Sequence, residues 1–125
     1  MLADAAAIAF APSTDLDRAR AFYGGVLGLK LVEQSPFACV FDAGGTMLRV
    51  TRVEELRPQP FTVLGWAVSD LRAVLVGLVA AGVVFHRYDG VAQDDDGVWA
   101  TPGGDLVAWF PDPEGNTLSL TQFAG

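Results

Sequence analysis

The stretch STDLDRARAFYGGVLGL, residues 13–29, decides the fold because a related stretch, SDLRAVLVGLVAAGV, follows at residues 69–83. In both, an Asp-Leu pair follows a Ser or Thr, and the two Asp residues lie 55 positions apart (70 − 15). A small polar residue before an apolar periodic run is an N-cap signal, and an acidic one also suits the positive end of the helix dipole. The sequence therefore predicts two helices that begin at the same point of a repeated unit.

Both predicted helices carry apolar residues at helical spacing on one face, and both end at a glycine. We expect Gly28 to end the first helix and Gly82 the second, because glycine readily adopts the left-handed conformation of a helix stop. The apolar face of the first helix is Leu16, Ala19, Phe22, Tyr23, Val26 and Leu27, and that of the second is Leu71, Val74, Leu75, Leu78 and Val79.

Strand-like stretches surround each helix in the same order. AAAIAFAP (5–12) precedes the first helix and FTVLGWAV (61–68) the second, and three further stretches follow each helix, parted by Gly and Pro turns. These six stretches are LKLVEQ (29–34), FACVFDA (37–43) and TMLRVTR (46–52), then VVFHRY (83–88), LVAWFPD (106–112) and TLSLTQF (117–123). The plan is βαβββ twice, an α+β chain. We expect a single domain, residues 1–125, with one module over about 1–53, a linker over 54–60 and a second module over about 61–125.

Charge and composition exclude several classes of partner. Eight basic and fifteen acidic residues give a net charge of −7, which opposes binding to nucleic acid. No uninterrupted apolar stretch reaches the roughly 18–20 residues of a membrane span, so we expect no membrane association. The single cysteine, Cys39, lies in an apolar strand without a basic neighbour, which is typical of a structural thiol in a reducing cytoplasm.

The motifs DLDRARAFYGGVLGL (15–29), SDLRAVLVGLVAAGV (69–83) and FPDPEGNTLSL (110–120) together resemble the vicinal oxygen chelate superfamily. That superfamily includes glyoxalase I, extradiol dioxygenases, fosfomycin-resistance enzymes and bleomycin-resistance proteins. The resemblance covers nearly the whole chain. It implies the glyoxalase/bleomycin-resistance/dioxygenase fold, in which two βαβββ modules form an open half-barrel around a cleft, and it implies a homodimer.

Metal-using members of the superfamily place ligands on the first and last strands of the modules, as His or Gln, His and Glu. The resemblance carries these positions onto Ile8, Val63 and Ser119, with Arg49 at the position that glyoxalase I also uses. Hydrocarbon side chains cannot coordinate a metal and a guanidinium repels one, while the chain has only one His and one Cys. We therefore expect no metal, no cofactor and no metal-dependent catalysis.

Strand alternation predicts an apolar, partly aromatic cleft with a few polar groups, the general form of a small-molecule site. Arg49 could anchor an anionic group, or it could pair with Asp42 or extend into solvent. Trp99 and Trp109 could stack on a planar ligand, or they could belong to the core or to a dimer interface. The candidate ligand-binding residues are Ile8, Phe10, Arg49, Phe61, Val63, Trp99, Trp109 and Ser119.

Three functions remain open on these residues. The leading hypothesis is a metal-free protein that binds a small organic molecule, sequestering a drug or metabolite as bleomycin-resistance proteins do. The alternative is a metal-independent lyase or isomerase that uses Arg49 for an oxyanion and a carboxylate or His86 as base. Strand alternation favours a structural or surface role for His86. A third possibility is a scaffold whose cleft is filled by Phe37, Phe41 and Phe61.

Overall fold

Two successive βαβββ units make up the computed structural model, which describes all 125 residues. The chain divides into Met1–Arg57 and Pro58–Gly125. Each unit carries one four-stranded sheet, and neither sheet closes into a barrel. The predicted α+β class and its two βαβββ modules are confirmed.

The first unit follows the predicted order closely. Its sheet has the order β1-β4-β3-β2, in which β1 and β4 are parallel and the other neighbours antiparallel. The parallel pair requires a crossover, and the helix after β1 provides it. The elements are β1 (Ile8–Ser13), α1 (Leu16–Arg20), a π-helical segment (Ala21–Val26), β2 (Lys30–Gln34), β3 (Ala38–Ala43) and β4 (Thr46–Arg52).

The second unit repeats this topology with the order β5-β8-β7-β6, again with its first and last strands parallel. Its elements are β5 (Thr62–Ala67), α2 (Leu71–Ala80), β6 (Trp99–Ala100), β7 (Leu106–Pro111) and β8 (Thr117–Gln122). No helix of the structure is both long enough and apolar enough to cross a membrane.

The prediction of a strand at VVFHRY, residues 83–88, is wrong. Only one of its amides bonds to the sheet, from His86 N to Trp109 O at 2.8 Å. The side chain of Gln93 takes the place of a strand partner: its amide nitrogen donates to His86 O at 2.9 Å, and its oxygen accepts from Tyr88 N at 2.7 Å. The two-residue strand β6 pairs with the other end of β7 and completes the sheet instead.

Both predicted helix starts and stops are confirmed. Asp15 and Asp70 are the N-caps, and their carboxylates accept from the amides of Arg18 and Ala73, both at 3.1 Å. Gly28 and Gly82 have φ values of 76° and 96°, the left-handed conformation that glycine permits. Only part of each predicted apolar face is buried: Ala19, Phe22 and Tyr23 in the first helix, and Leu71, Leu75 and Leu78 in the second.

Two side-chain hydrogen bonds show which face of each sheet its helix covers. In the first unit the Cys39 thiol donates to Leu16 O at 3.5 Å, so the odd-numbered residues of β3 face α1. In the second, Gln122 Oε1 accepts from Leu71 N at 2.9 Å, so the even-numbered residues of β8 face α2. We call the opposite faces, away from α1 and α2, the first and second open faces.

Candidate functional site

The first open face is largely apolar and exposed. Phe10 of β1 lies opposite Arg49 of β4, and Val40 of β3 lies opposite Arg49 on its other side. Ile8 and Met47 form the next pair along β1 and β4. Ile8, Phe10 and Met47 are 48%, 56% and 43% exposed, whereas Val40 is buried. Three of the predicted residues, Ile8, Phe10 and Arg49, are therefore brought together on this face.

Arg49 is half-buried within this apolar face, and its guanidinium forms neither a hydrogen bond nor an ion pair. The alternative in which Arg49 pairs with Asp42 is wrong. Asp42 Oδ1 instead accepts from Gly45 N at 2.8 Å, because the tight turn at Gly44-Gly45 leaves that amide beside the carboxylate. Arg49 thus presents an unused cation in apolar surroundings.

The second open face carries a row of aromatic rings. Trp99 and Trp109 stack with their ring centroids 6.2 Å apart and their planes 20° apart. Tyr88 meets Trp109 edge-on at 5.3 Å, and His86 lies 5.9 Å from Tyr88. We call His86, Tyr88, Trp109 and Trp99 the aromatic row. The two tryptophans are half-buried, so part of their ring surface is available to a ligand.

Tyr88 and His86 extend the site beyond the candidate ligand-binding residues, although the sequence also indicates His86 as a possible base. The two neighbours of His86, Phe85 and Arg87, do not belong to the aromatic row. Phe85 packs against the buried Phe110 at 5.3 Å, and Arg87 donates to Asp94 O at 2.8 Å. His86 therefore lies on the side of Trp109, and it is half-buried. The sequence feature that could have assigned both residues to the site is their two-residue spacing, which puts His86 and Tyr88 on one side of an extended segment.

Ser119 lies on the second open face, directly opposite Trp109 on β7 and Gly65 on β5. Its hydroxyl makes no hydrogen bond and is half-exposed. A Cβ at Gly65 would overlap Ser119 Oγ, so glycine is the residue that leaves room for this hydroxyl. The site thus combines exposed ring surface with a free hydroxyl on the neighbouring strand.

The remaining predicted residues, Val63 and Phe61, do not follow the regular alternation of β5. The pairing of β5 with β8 shifts between Thr62 and Leu64, so a bulge at Val63 interrupts the alternation that assigned Val63 to the face of Gly65. Val63 is 38% exposed, and Phe61 lies outside the strand and is 59% exposed. Neither contacts the aromatic row through a ring interaction.

The phenylalanines of the scaffold hypothesis do not fill an open face. Phe41 is fully buried on the α1 side, where its ring lies 6.0 Å from that of Tyr23. Phe37 is 77% exposed, and Phe61 is also exposed. This observation contradicts the hypothesis of a scaffold whose cleft is filled by Phe37, Phe41 and Phe61.

Two ionisable groups have shifted pKa values. Burial raises the pKa of the Cys39 thiol, and the nearby Arg20 only partly opposes that shift, so Cys39 stays protonated and unreactive. Burial alone would raise the pKa of Asp94, but hydrogen bonds from Val98 N and Arg72, with the positive charge of Arg72, lower it overall. Asp94 therefore acts as the ionic anchor of the loop that leads into β6.

The family model described as Glyoxalase/Bleomycin resistance protein/Dioxygenase superfamily matches residues 6–120. The chain belongs to this superfamily. None of the curated proteins matches the sequence.

Several solved structures share the fold at low sequence identity. A glyoxalase/bleomycin resistance protein/dioxygenase from Alicyclobacillus acidocaldarius is 20% identical with a TM-score of 0.73, and the match covers 98% of this chain and 93% of that one. The lactoylglutathione lyase of Agrobacterium tumefaciens is 20% identical with a TM-score of 0.73 and coverages of 96% and 95%. TioX from Micromonospora sp. ML1 is 22% identical with a TM-score of 0.73 and coverages of 96% and 99%. At these identities the similarity shows the fold alone.

The metal-ligand positions of the superfamily do not fit a metal ion in this member. On the first open face they hold Ile8 and the Arg49 cation, and in the second unit they hold Val63 and Ser119. No group of three or more His, Cys, Asp or Glu side chains in the structure could hold a metal ion. One neutral hydroxyl, two hydrocarbons and a cation lack the imidazoles and carboxylates that catalytic metals require.

Proposed function

We propose that this superfamily member binds a small organic molecule without a metal, sequestering a drug or metabolite as the bleomycin-resistance branch does. The stacked pair Trp99 and Trp109, half-exposed beside the free Ser119 hydroxyl, carries the proposal. Exposed ring faces bind planar groups by offset stacking, and a nearby hydroxyl adds orientation. A free, buried thiol at Cys39 supports a reducing cytoplasmic setting for this binding.

The test is the binding of N-phenyl-1-naphthylamine, a neutral aromatic probe whose fluorescence rises in apolar sites. Stacking contributes about 0.5–1.5 kcal/mol per aromatic pair, so Trp99→Leu and Trp109→Leu should each weaken binding by about two- to tenfold. Trp66→Phe is the matched control, because Trp66 lies opposite Leu120 on the side of the sheet that faces α2. Equal weakening by all three substitutions, or no binding to the wild type, would refute the proposal.

A second candidate function, a metal-independent lyase or isomerase, is supported by the position of His86. Its imidazole makes no hydrogen bond, and its ring lies at the end of the aromatic row, 5.9 Å from Tyr88. An imidazole beside a binding surface is in a position to take a proton from a bound substrate as a general base. A turnover assay on any compound that co-purifies with the chain tests it: His86→Gln should abolish turnover and leave binding intact if the protein is an enzyme.

A further inference from the structure

The first open face carries two positively charged side chains: Lys30, which lies opposite Asp42, and Arg49, which has no acidic residue directly opposite it. The residues directly opposite it on the neighbouring strands, Phe10 and Val40, are both apolar. A half-buried guanidinium without a counterion has lost water without gaining a partner, which is an unfavourable arrangement. An anion that bound there would complete the pair.

A groove of about 310 Å³ lies beside Arg49. It is lined by Val32, Val40, Phe41, Asp42, Gly45 and Met47, so most of its wall is apolar. Val40 is the cross-strand neighbour of Arg49, and Met47 lies two residues before it on the same strand. The groove is therefore lined by neighbours of Arg49 and borders its position, although Arg49 itself does not line it.

The charges around the groove give a bound molecule a direction. Asp42 lies opposite Met47, about 7 Å along the strands from the level of Arg49 at the usual strand rise. Lys30 lies opposite Asp42 on β2, so the two charges offset each other at that end of the groove, and Arg49 is the cation that lacks a neighbouring carboxylate. The planar fork of Arg49 matches a carboxylate in a two-bond geometry.

We infer that the first open face binds an aliphatic monocarboxylate, with its carboxylate on Arg49 and its chain along the groove that contains Val32, Val40 and Met47. The inference deepens the proposed function and rests on it, because it names the chemical class of a ligand that a metal-free member of the superfamily takes. Six of the eight basic residues of the chain lie in this unit, so its net charge is −1 (6 − 7) and that of the second unit is −6 (2 − 8). The first unit is thus the one in which an anion meets less repulsion.

The experiment compares octanoate with octanamide, which has the same shape but no charge, by titration of the full-length ¹⁵N-labelled protein. Octanoate should bind at least about tenfold more tightly, because a hydrogen bond to a charged group is worth more than one to a neutral group. Its shifts should concentrate on the amides of Phe10, Val40 and Met47. Arg49→Gln should remove the preference for octanoate, and Arg49→Lys should keep part of it.

Arg52→Gln is the matched control, because it removes the same charge from the same strand. Arg52 is exposed and two residues beyond the buried Val50, so its side chain does not share the open face with Arg49. Arg52→Gln should retain the preference for octanoate. Equal binding of the two probes to the wild type, no binding of either, or equal losses in Arg49→Gln and Arg52→Gln would overturn the inference.

The two proposals fail in different ways. If octanoate and octanamide bind equally while the tryptophan substitutions still weaken the aromatic probe, the carboxylate inference falls and small-molecule binding stands. If the tryptophan substitutions leave binding of the aromatic probe unchanged but octanoate binding depends on Arg49, the aromatic-row proposal falls and the carboxylate inference stands.

Discussion

At the scale of single residues, Gly65 and Ser119 show how closely the second open face is built. The two lie opposite each other on parallel strands, and the backbone oxygen of Ser119 would lie 3.3 Å from a Cβ at Gly65. A side chain at Gly65 therefore has no room unless β5 or β8 moves. The free hydroxyl of Ser119 exists in this position because residue 65 has no side chain.

Gly65→Ala should destabilise the protein by about 1–3 kcal/mol, the usual cost of forcing extra atoms into a packed site. Removing Ser119 Oγ in the double variant with Ser119→Ala should recover part of that loss. Gly77→Ala is the control, because Gly77 lies in α2 with nothing within 4 Å of an added Cβ, and it should stabilise by about 0.5–1 kcal/mol. Urea unfolding measures all three, and a neutral Gly65→Ala would contradict the packing argument.

At the scale of elements, the DPEGN turn between β7 and β8 sets the start of the strand that carries Ser119. Asp112 is buried and its carboxylate accepts from the amides of Glu114 and Asn116, both at 2.9 Å, and from the Asn116 side chain at 2.8 Å. Gly115 has a φ of 90°, which closes the turn. This motif is structural: it fixes the register of β8 and makes no contact with the aromatic row.

Asp112→Ala should cost about 2–3 kcal/mol of unfolding free energy, because it leaves the buried backbone and side-chain amides of Asn116 without their acceptor. Asp105→Ala is the matched control. The Asp105 carboxylate accepts one hydrogen bond, from the exposed Ala124 N at 2.7 Å, so its loss should cost less than about 1 kcal/mol. Chemical denaturation distinguishes the two, and equal losses would show that the turn has no special role.

The loop before β6 should give the protein a small acid-sensitive contribution to stability. The pKa of Asp94 is lowered in the folded state, so its contribution is present above the ordinary Asp value near 4 and is lost as the pH falls through the lowered value. The ion pair of Asp94 with Arg72, at 2.8 Å, is half-exposed and contributes about 0.2–1 kcal/mol at most.

Asp94→Asn should therefore reduce stability at pH 6, and this loss should disappear as the pH falls through the lowered pKa of Asp94, as followed by thermal unfolding at a series of acidic pH values. Asp95→Asn, in the same loop but without a side-chain partner, should follow the wild-type profile. A constant loss at every pH would show that packing, and not the charge of Asp94, holds the loop.

At the scale of the whole molecule, we propose a homodimer, since large apolar side chains such as Phe10, Phe37 and Phe61 are more than half exposed. A native mass spectrum of freshly purified protein should show a dimer without a bound divalent metal and with any co-purified organic ligand. A monomer at micromolar concentration would contradict the dimer. One metal per chain would contradict the argument from Ile8, Arg49, Val63 and Ser119.

Much of the fold followed from local signals. The caps at Asp15 and Asp70, the glycine stops and the alternation of the strands predicted both modules, because each of these signals acts within a few residues. The prediction failed at residues 83–88, where the residues were strand-like but Gln93, a residue of the following loop, supplied the hydrogen bonds instead of a strand.

The candidate site likewise has some features that the sequence predicts and others that only the tertiary structure decides. The residue types alone show that the candidate site lacks metal ligands and that it contains Arg49 and the tryptophans. The stacking of Trp99 on Trp109, the position of His86 next to Tyr88 and the lack of a partner for Arg49 could not be predicted in this way. These depend on strand register and on contacts between residues distant in sequence, since pairing decides which side chains share a face and whether a charge finds a counterion.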